Sequence, residues 1–518
     1  MAGQLWGWGR NLDGNLGDNT VVNKSSPVQT VTFGTNWSQV SCGQNYTASI
    51  KTDGTLWMWG SGFYGQIGNN TGLNRSSPVQ TVAGGNNWSS VACGYYHTAA
   101  IKTDGTLWTW GQNSNGQLGD NTATRKSSPI QTVAGGNNWS SVACGSYHTA
   151  ATKTDGTLWM CGQNSSGQLG DNTTIRKSSP VQTIAGGTNW SSVAGGVFHT
   201  AAIKTDGTLW TWGTNAFGQL GDNTLIHRSS PVQVVGFATN WSSVACGYYS
   251  TYALKKDGTL WAWGFNGYGQ LGDNTIANKS SPIQTIAGGT NWSKISSNGY
   301  YTAAIKKDGT LWMWGRNFFG NLGDNTILNK SSPIQTIAGG TNWSFAACGY
   351  HHTIAIYENT ANQLGVNTQP LAGYNSNQLL VQPKININDS VGSVVRIAVN
   401  SVSVAVQSGT ATLSGTTTVT AVDGVATFTD LILTGSGSVT LRFTSSGLTQ
   451  VDSSSFTVSL TLPIIPKRSE ASGKLPTSGQ LNIGELAINI DDKKGFIKKS
   501  DGTVLNIFNG KVADGGSF

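Results

Sequence analysis

The chain has 518 residues, a formal net charge of +7 and only 11% charged side chains, with 69 Gly and 20 Trp. That length predicts roughly two to four domains, and the shortage of helix formers beside abundant Gly, Asn, Thr and aromatic residues excludes a helical protein in favour of an all-β one rich in tight turns. No apolar run is long enough to span a membrane, the opening MAGQLWGWGR lacks a secretory apolar stretch, and the basic residues are too dispersed for a nucleic-acid surface, so no nucleic acid partner is expected.

Internal repetition organises residues 1–357. Leu-Trp recurs at Trp6, Trp57, Trp108, Trp159, Trp210, Trp261 and Trp312, always 51 residues apart. A second Trp follows two residues later in six copies, with Cys161 in the seventh slot, and a third stands in Asn-Trp-Ser from Trp37 to Trp343. Within one unit Ser90–Cys93 and His97–Ile101 read as strands, Asp104-Gly105 as a two-residue hairpin turn, Leu107–Trp110 as the returning strand and Ser127–Gln131 as an outer extended segment. About four short strands in a unit of this length make a propeller blade. The first copy starts directly at Leu5-Trp6-Gly7-Trp8, and the last ends at His352–Ile356 without its Leu-Trp strand. Residues 4–9 are therefore expected to complete the blade begun at 340–356, closing a seven-bladed ring without free edges. Asn362-Gln363-Leu364-Gly365 reads as a degenerate remnant running over that closure.

The segments Trp110-Gly111-Gln112-Asn113 to Gln117-Leu118-Gly119 and His97 to Trp108, repeated seven times, resemble the regulator of chromosome condensation repeat. The resemblance implies a seven-bladed propeller and, across the family, activities as different as nucleotide exchange on a GTPase, chromatin docking and protein inhibition. Residues 358–383, rich in Asn and Gln, read as a linker. Alternating Val, Thr and Ser over 384–461, with an Asp423-Gly424 hairpin, predict about seven strands of a β-sandwich similar to bacterial immunoglobulin-like modules. In 462–518, Leu481-Asn482-Ile483-Gly484-Glu485-Leu486-Ala487-Ile488-Asn489 followed by Gly495-Phe496-Ile497-Lys498 resembles a small β module of tailed-phage virion proteins. That resemblance implies attachment to other virion proteins.

No catalytic constellation is legible, so the protein is expected not to be an enzyme and to carry no cofactor or metal. His97, His148, His199 and His352 recur at one blade position, too far apart around a ring for a compact metal site, and read as buried imidazoles satisfied by backbone. Cys42, Cys93, Cys144, Cys246 and Cys348 read as small buried residues. Asp18, Asp120, Asp171, Asp222, Asp273 and Asp324 read as Asx turns, not calcium ligands. The loop before Gly-Gln-Leu-Gly differs between units, and Phe63, Tyr64, Phe217, Tyr268, Phe318 and Phe319 are its aromatic members. They are candidate stacking residues for a glycan or protein partner, or packing against the next blade. Lys24, Arg75, Lys126, Lys177, Arg228, Lys279 and Lys330 place one cation on each blade, a solvated rim or an attractor of acidic surface polysaccharide.

Together these readings predict a non-enzymatic virion structural protein of a tailed phage, tail-fibre- or baseplate-associated or displayed on the particle surface. The propeller would be the head that binds host-surface polysaccharide or protein, and a homotrimer would form through 467–518. Assembly in the host cytoplasm and exposure on the virion follow. The alternative is a bacterial surface adhesin or a secreted propeller that binds or inhibits a partner.

Overall fold

Gly at every hairpin and Trp-x-Trp on every returning strand but one, where Cys161 stands for the second Trp, set the repeating unit. The structure, a computed structural model, describes residues 3–31, 34, 36–184, 187–358, 361–371, 375–389, 392, 394–395, 398–459, 467–469, 486–489, 494–498 and 503–509. It divides into two units, Met1–Thr360 and Ala361–Phe518.

The first unit holds seven four-stranded antiparallel sheets, each a blade. Numbered along the chain, blade 1 starts at Trp37 and blade 6 ends at Gln335. In blade 2 the strands are Trp88–Cys93, His97–Lys102, Leu107–Gly111 and Lys126–Gln131. The turn after Lys102 differs from the two-residue hairpin expected. Gly105 N–H donates to the Lys102 carbonyl at 2.9 Å while Lys102 N–H bonds Thr106 at 3.0 Å, and only Gly105, at φ 79°, is left-handed. This is a three-residue loop in which glycine forms the bulge, and the Asp104 carboxylate holds it by accepting from the Thr106 amide at 3.0 Å. A two-residue turn with both central residues left-handed does occur at Asp423 (φ 50°) and Gly424 (φ 74°) in the second unit.

Blade 7 is built from both ends of the propeller. Trp343–Cys348 and His352–Tyr357 are joined by Gln4–Gly9 and Lys24–Gln29, with Gln4 opposite Tyr357 and Gly9 opposite His352. The N-terminal strand thereby covers what would be an open edge.

The apolar clusters lie between blades. Ile50, Leu56 and Met58 of blade 1 share one with Trp88, Val91 and Trp110 of blade 2. At each seam a single backbone carbonyl binds two side chains of the following blade. The Gln168 carbonyl accepts from Trp212 Nε1 at 2.9 Å and from Thr200 Oγ1 at 2.8 Å. Having donated its proton, the Thr200 oxygen accepts from His148 Nε2–H at 3.0 Å, which tethers it to the preceding blade a second time. The same indole bond recurs at Asn15, Gln66, Gln219, Gln270 and Asn321, and at Gln117 the thiol of Cys161 stands in at 3.5 Å. The Lys at the end of the second strand lies between two indoles, Lys102 Nζ being 4.9 and 4.5 Å from the Trp88 and Trp108 rings.

The second unit corrects the linker. Gln363–Thr368 pairs with Lys384–Asn388, and Asn377–Gln378 pairs with Ile432–Thr434, because Leu364 and Leu379 bury in the same core as Ile385, Val402, Phe428 and Phe443. Gln363-Leu364-Gly365, expected as a remnant of the propeller repeat, is therefore a strand of this second unit. Three small sheets enclose that core, with nine strands among the described residues of 384–461 where about seven were expected. Further on, Lys467–Ser469, Leu486–Asn489, Lys494–Lys498 and Val504–Asn509 form one sheet whose first pairing is parallel. Residues 481–485 of the motif lie outside the described residues.

Thr200→Val is expected to lower unfolding free energy by about 1–3 kcal/mol, since it leaves the buried His148 N–H and the Gln168 carbonyl each without its hydroxyl partner. Thr200→Ser should retain most of it, and thermal or guanidinium unfolding of the three chains checks both.

Candidate functional site

First and third strands of a blade run in the same direction, so the loops that follow them emerge on one face of the propeller. The first of these loops opens with glycine in every blade but the sixth, where Asn298 stands, and in the four blades with a histidine the reason is steric. A Cβ on Gly94 would lie 2.3 Å from His97 Cε1, and Gly145, Gly196 and Gly349 meet their own histidines in the same way. The next two residues differ from blade to blade and are largely aromatic outside blade 1, which carries Gln44-Asn45: Tyr95-Tyr96, Ser146-Tyr147, Val197-Phe198, Tyr248-Tyr249, Gly299-Tyr300 and Tyr350-His351.

All six aromatic residues singled out in the sequence join this second set in one continuous network. Tyr64 meets Tyr96 at 4.6 Å between centroids and Phe63 stands edge-on to Tyr64 at 4.9 Å. Phe217 is 5.0 Å from both Tyr249 and Phe265, and Tyr268 is 5.2 Å from Tyr300 and 5.8 Å from Phe318. Phe319 packs on His351 at 4.8 Å. Tyr64, Phe217, Tyr268 and Phe319 thus lean on the next blade, whereas Phe63 leans on Tyr64 of its own blade and Phe318 on Tyr268 of the preceding one, and these two stay open to solvent, 64% and 49% exposed.

Sequence reasoning missed the centre of the face. Tyr95, Tyr248 and Tyr350, from blades 2, 5 and 7, meet across the axis at 5.5–6.4 Å. The first strands that lead into these loops line a channel of about 230 Å³. Burial raises the pKa of all three phenols, so they remain neutral donors. The signal available was the variability of the two residues before the recurrent His or Tyr. Arg316 was missed as well: its guanidinium lies 4.6 Å from the Phe318 ring and 5.5 Å from that of Tyr268.

The other candidates are structural. The four recurrent histidines are fully buried, but a threonine hydroxyl of the next blade, not backbone, satisfies Nε2 at 3.0 Å. Burial pushes the Cys93, Cys161 and Cys348 thiols up to about 12, and all six cysteines are free. The rim of cations is corrected: six of the seven pair with the Asp six residues upstream, at 3.0 Å for Arg228–Asp222 to 4.0 Å for Lys24–Asp18. A left-handed Asn after each Asp, such as Asn121 at φ 60°, turns the chain back to make that pairing. The loop cannot act as a cationic attractor where it is so neutralised. Arg75 is the exception, because Asn69 replaces the Asp.

Seven four-stranded blades define a seven-bladed β-propeller. The chain belongs to the RCC1-like domain family, which matches residues 1–285 and 142–420. It is similar to the ultraviolet-B receptor UVR8 of Arabidopsis thaliana, 32% identical over 326 residues covering 62% of this chain and 74% of that one. It is also similar to the mitochondrial RCC1 domain-containing protein RUG3 of Arabidopsis thaliana, 30% identical over 350 residues covering 60% and 77%. Among solved structures the same fold appears in human WBSCR16, with TM-score 0.62 and 22% identity over 69% of this chain and 99% of that one. Yeast RCC1 (Prp20) bound to Kap60 has TM-score 0.62 and 17% identity, covering 69% and 90%.

Burial lowers His97, His199 and His352 to about 3 and His148 to about 4, so the folded state stays neutral where the unfolded chain protonates near 6.5. Their contribution to stability is complete above pH 6.5 and is lost as pH falls toward 3. Each histidine supplies up to about 1.4 kcal/mol per pH unit in that window. Melting temperature is expected to drop steeply between pH 6.5 and 4, and His97→Gln, if it folds, should flatten the slope by one proton's worth.

Proposed function

We propose that the protein is a non-enzymatic structural component of a tailed-phage particle, carried at a tail fibre or baseplate, with the propeller as the head that engages the host surface. The observation that carries this reading is the continuous, half-exposed aromatic network on one propeller face. Rigid strands position it, and aromatic anchors of this kind supply most of the energy of recognition surfaces. Recognition by propellers of this fold has support in the structures of yeast RCC1, one bound to Kap60 and another described with its binding to Gsp1p and histones. The recurrent histidines and most of the recurrent cysteines take part in bonds between blades, which supports a non-enzymatic reading.

The second unit then acts as an immunoglobulin-like spacer. The sheet from Lys467 to Asn509, with its Leu486-Ala487-Ile488-Asn489 strand, joins the other virion proteins as a homotrimer. Localisation is the virion, after assembly in the host cytoplasm.

Mass spectrometry of purified particles, with immunogold labelling against the propeller, tests this. The protein is expected at fixed sites on tail or baseplate. Its absence from particles, with presence on bacterial cells or in the medium, would establish the adhesin or secreted-binder reading instead. By light scattering the full chain should be a trimer and a chain ending at 461 a monomer; equal masses would remove the trimerisation role.

A further inference from the structure

The aromatic face is not uniform around the ring. At the position of Phe63, blades 2 to 5 carry Ser114, Ser165, Ala216 and Gly267, whereas blades 6, 7 and 1 carry Phe318, Leu12 and Phe63. These three are 49, 56 and 64% exposed. Contacts between loops make them one arc: Asn74 of blade 1 donates to Asp13 beside Leu12 at 3.2 Å, and Phe319 packs on His351 of blade 7.

Charge on this face is equally uneven. Its carboxylates are Asp13 and the six loop aspartates, and all are ion-paired, Asp13 with Arg10 at 2.9 Å. Four guanidiniums, Arg75, Arg125, Arg176 and Arg316, have no carboxylate partner among the described residues. Three of them border the arc. Arg316 lies over the Phe318 ring, Arg125 reaches the Phe63 carbonyl at 3.3 Å beside a cavity of about 150 Å³, and Arg75 begins the fourth strand of blade 1. Arg75 also keeps a buried Nε without a partner.

Resting on the reading of this face as a binding head, we infer that the arc over blades 6, 7 and 1 binds an acidic polysaccharide of the uronate type. Sugar rings lie against Phe318, Leu12 and Phe63, and their carboxylates meet Arg316 and Arg125. Apolar faces of pyranose rings stack on isolated aromatic rings, and a planar guanidinium binds a carboxylate through two parallel hydrogen bonds. The cavity beside Phe63 is lined by Asn70, Thr71 and Ser127, polar side chains that suit a hydroxyl-rich, hydrated ligand better than the dry apolar centre of a protein interface.

Affinity electrophoresis and calorimetry of the purified full chain with polygalacturonate, neutral dextran, polyglutamate and oligo-dT provide the test. Polygalacturonate is expected to bind and dextran not, with affinity falling as NaCl rises. Arg316→Gln and Phe318→Ala should each weaken it at least fivefold at unchanged melting temperature, and Lys279→Gln, away from the arc, should not. Binding to none of the four, or equally tight binding to polyglutamate or oligo-dT, would overturn the ligand class. Binding that ignores both arc variants would overturn the location. Because the titration uses isolated chain, absence of the protein from phage particles bears on the phage reading alone.

Discussion

The carbonyl of the Gln or Asn before Leu-Gly is the point on which the propeller depends. A blade by itself is a four-stranded sheet with two apolar faces, and only its neighbours cover them. Apolar contact is non-directional, so it would allow blades to slide. The indole N–H and the threonine hydroxyl of the next blade, converging on one carbonyl, fix the offset at every seam. At four of the seams a buried imidazole on that hydroxyl adds a third, directional tie, and its neutrality is a consequence of the same burial that makes the seam dry. Where Cys161 replaces the indole, a weaker thiol contact at 3.5 Å keeps the register, and the hydroxyl of Thr149 on Gln117 keeps the carbonyl doubly bound.

Much of this was legible in sequence because the repeat is strict. A constant spacing forces equivalent residues to equivalent places, and the missing half-blades at Leu5 and Ile356 identify each other. Three readings failed where the deciding partner lies outside the local pattern. Asp104-Gly105 looks like a two-residue turn, yet the bond from Lys102 to Thr106 makes the loop one residue longer. The lysine rim looks cationic until the left-handed Asn folds each Asp back against it. Leu364 and Leu379 are isolated apolar residues in an Asn- and Gln-rich stretch, too sparse to mark strands, but each finds a core whose other members run from Ile385 to Val458.

The candidate site was half visible. Phe63, Tyr64, Phe217, Tyr268, Phe318 and Phe319 stand out because their loop varies against a constant frame. Tyr95, Tyr248 and Tyr350 do not, since each directly follows a strand that reads as core, and only ring geometry brings three distant blades together at the axis. Arg316 sits beside the recurrent Trp-Gly, where a long side chain passes for spacer. In each case the residue type was plain, and what the sequence withheld was the direction in which closure of the ring aims it.

Blade 7 gives the propeller a mechanical character that follows from its composite build. The chain leaves the ring from Tyr357, and that last strand lies inside its sheet, bonded on one side to Trp343–Cys348 and on the other to Gln4–Gly9. Tension applied from the second unit therefore runs along two ladders at once and must shear them together. An edge strand under the same pull would unzip one bond at a time, so the strand that seals the ring also anchors it against load.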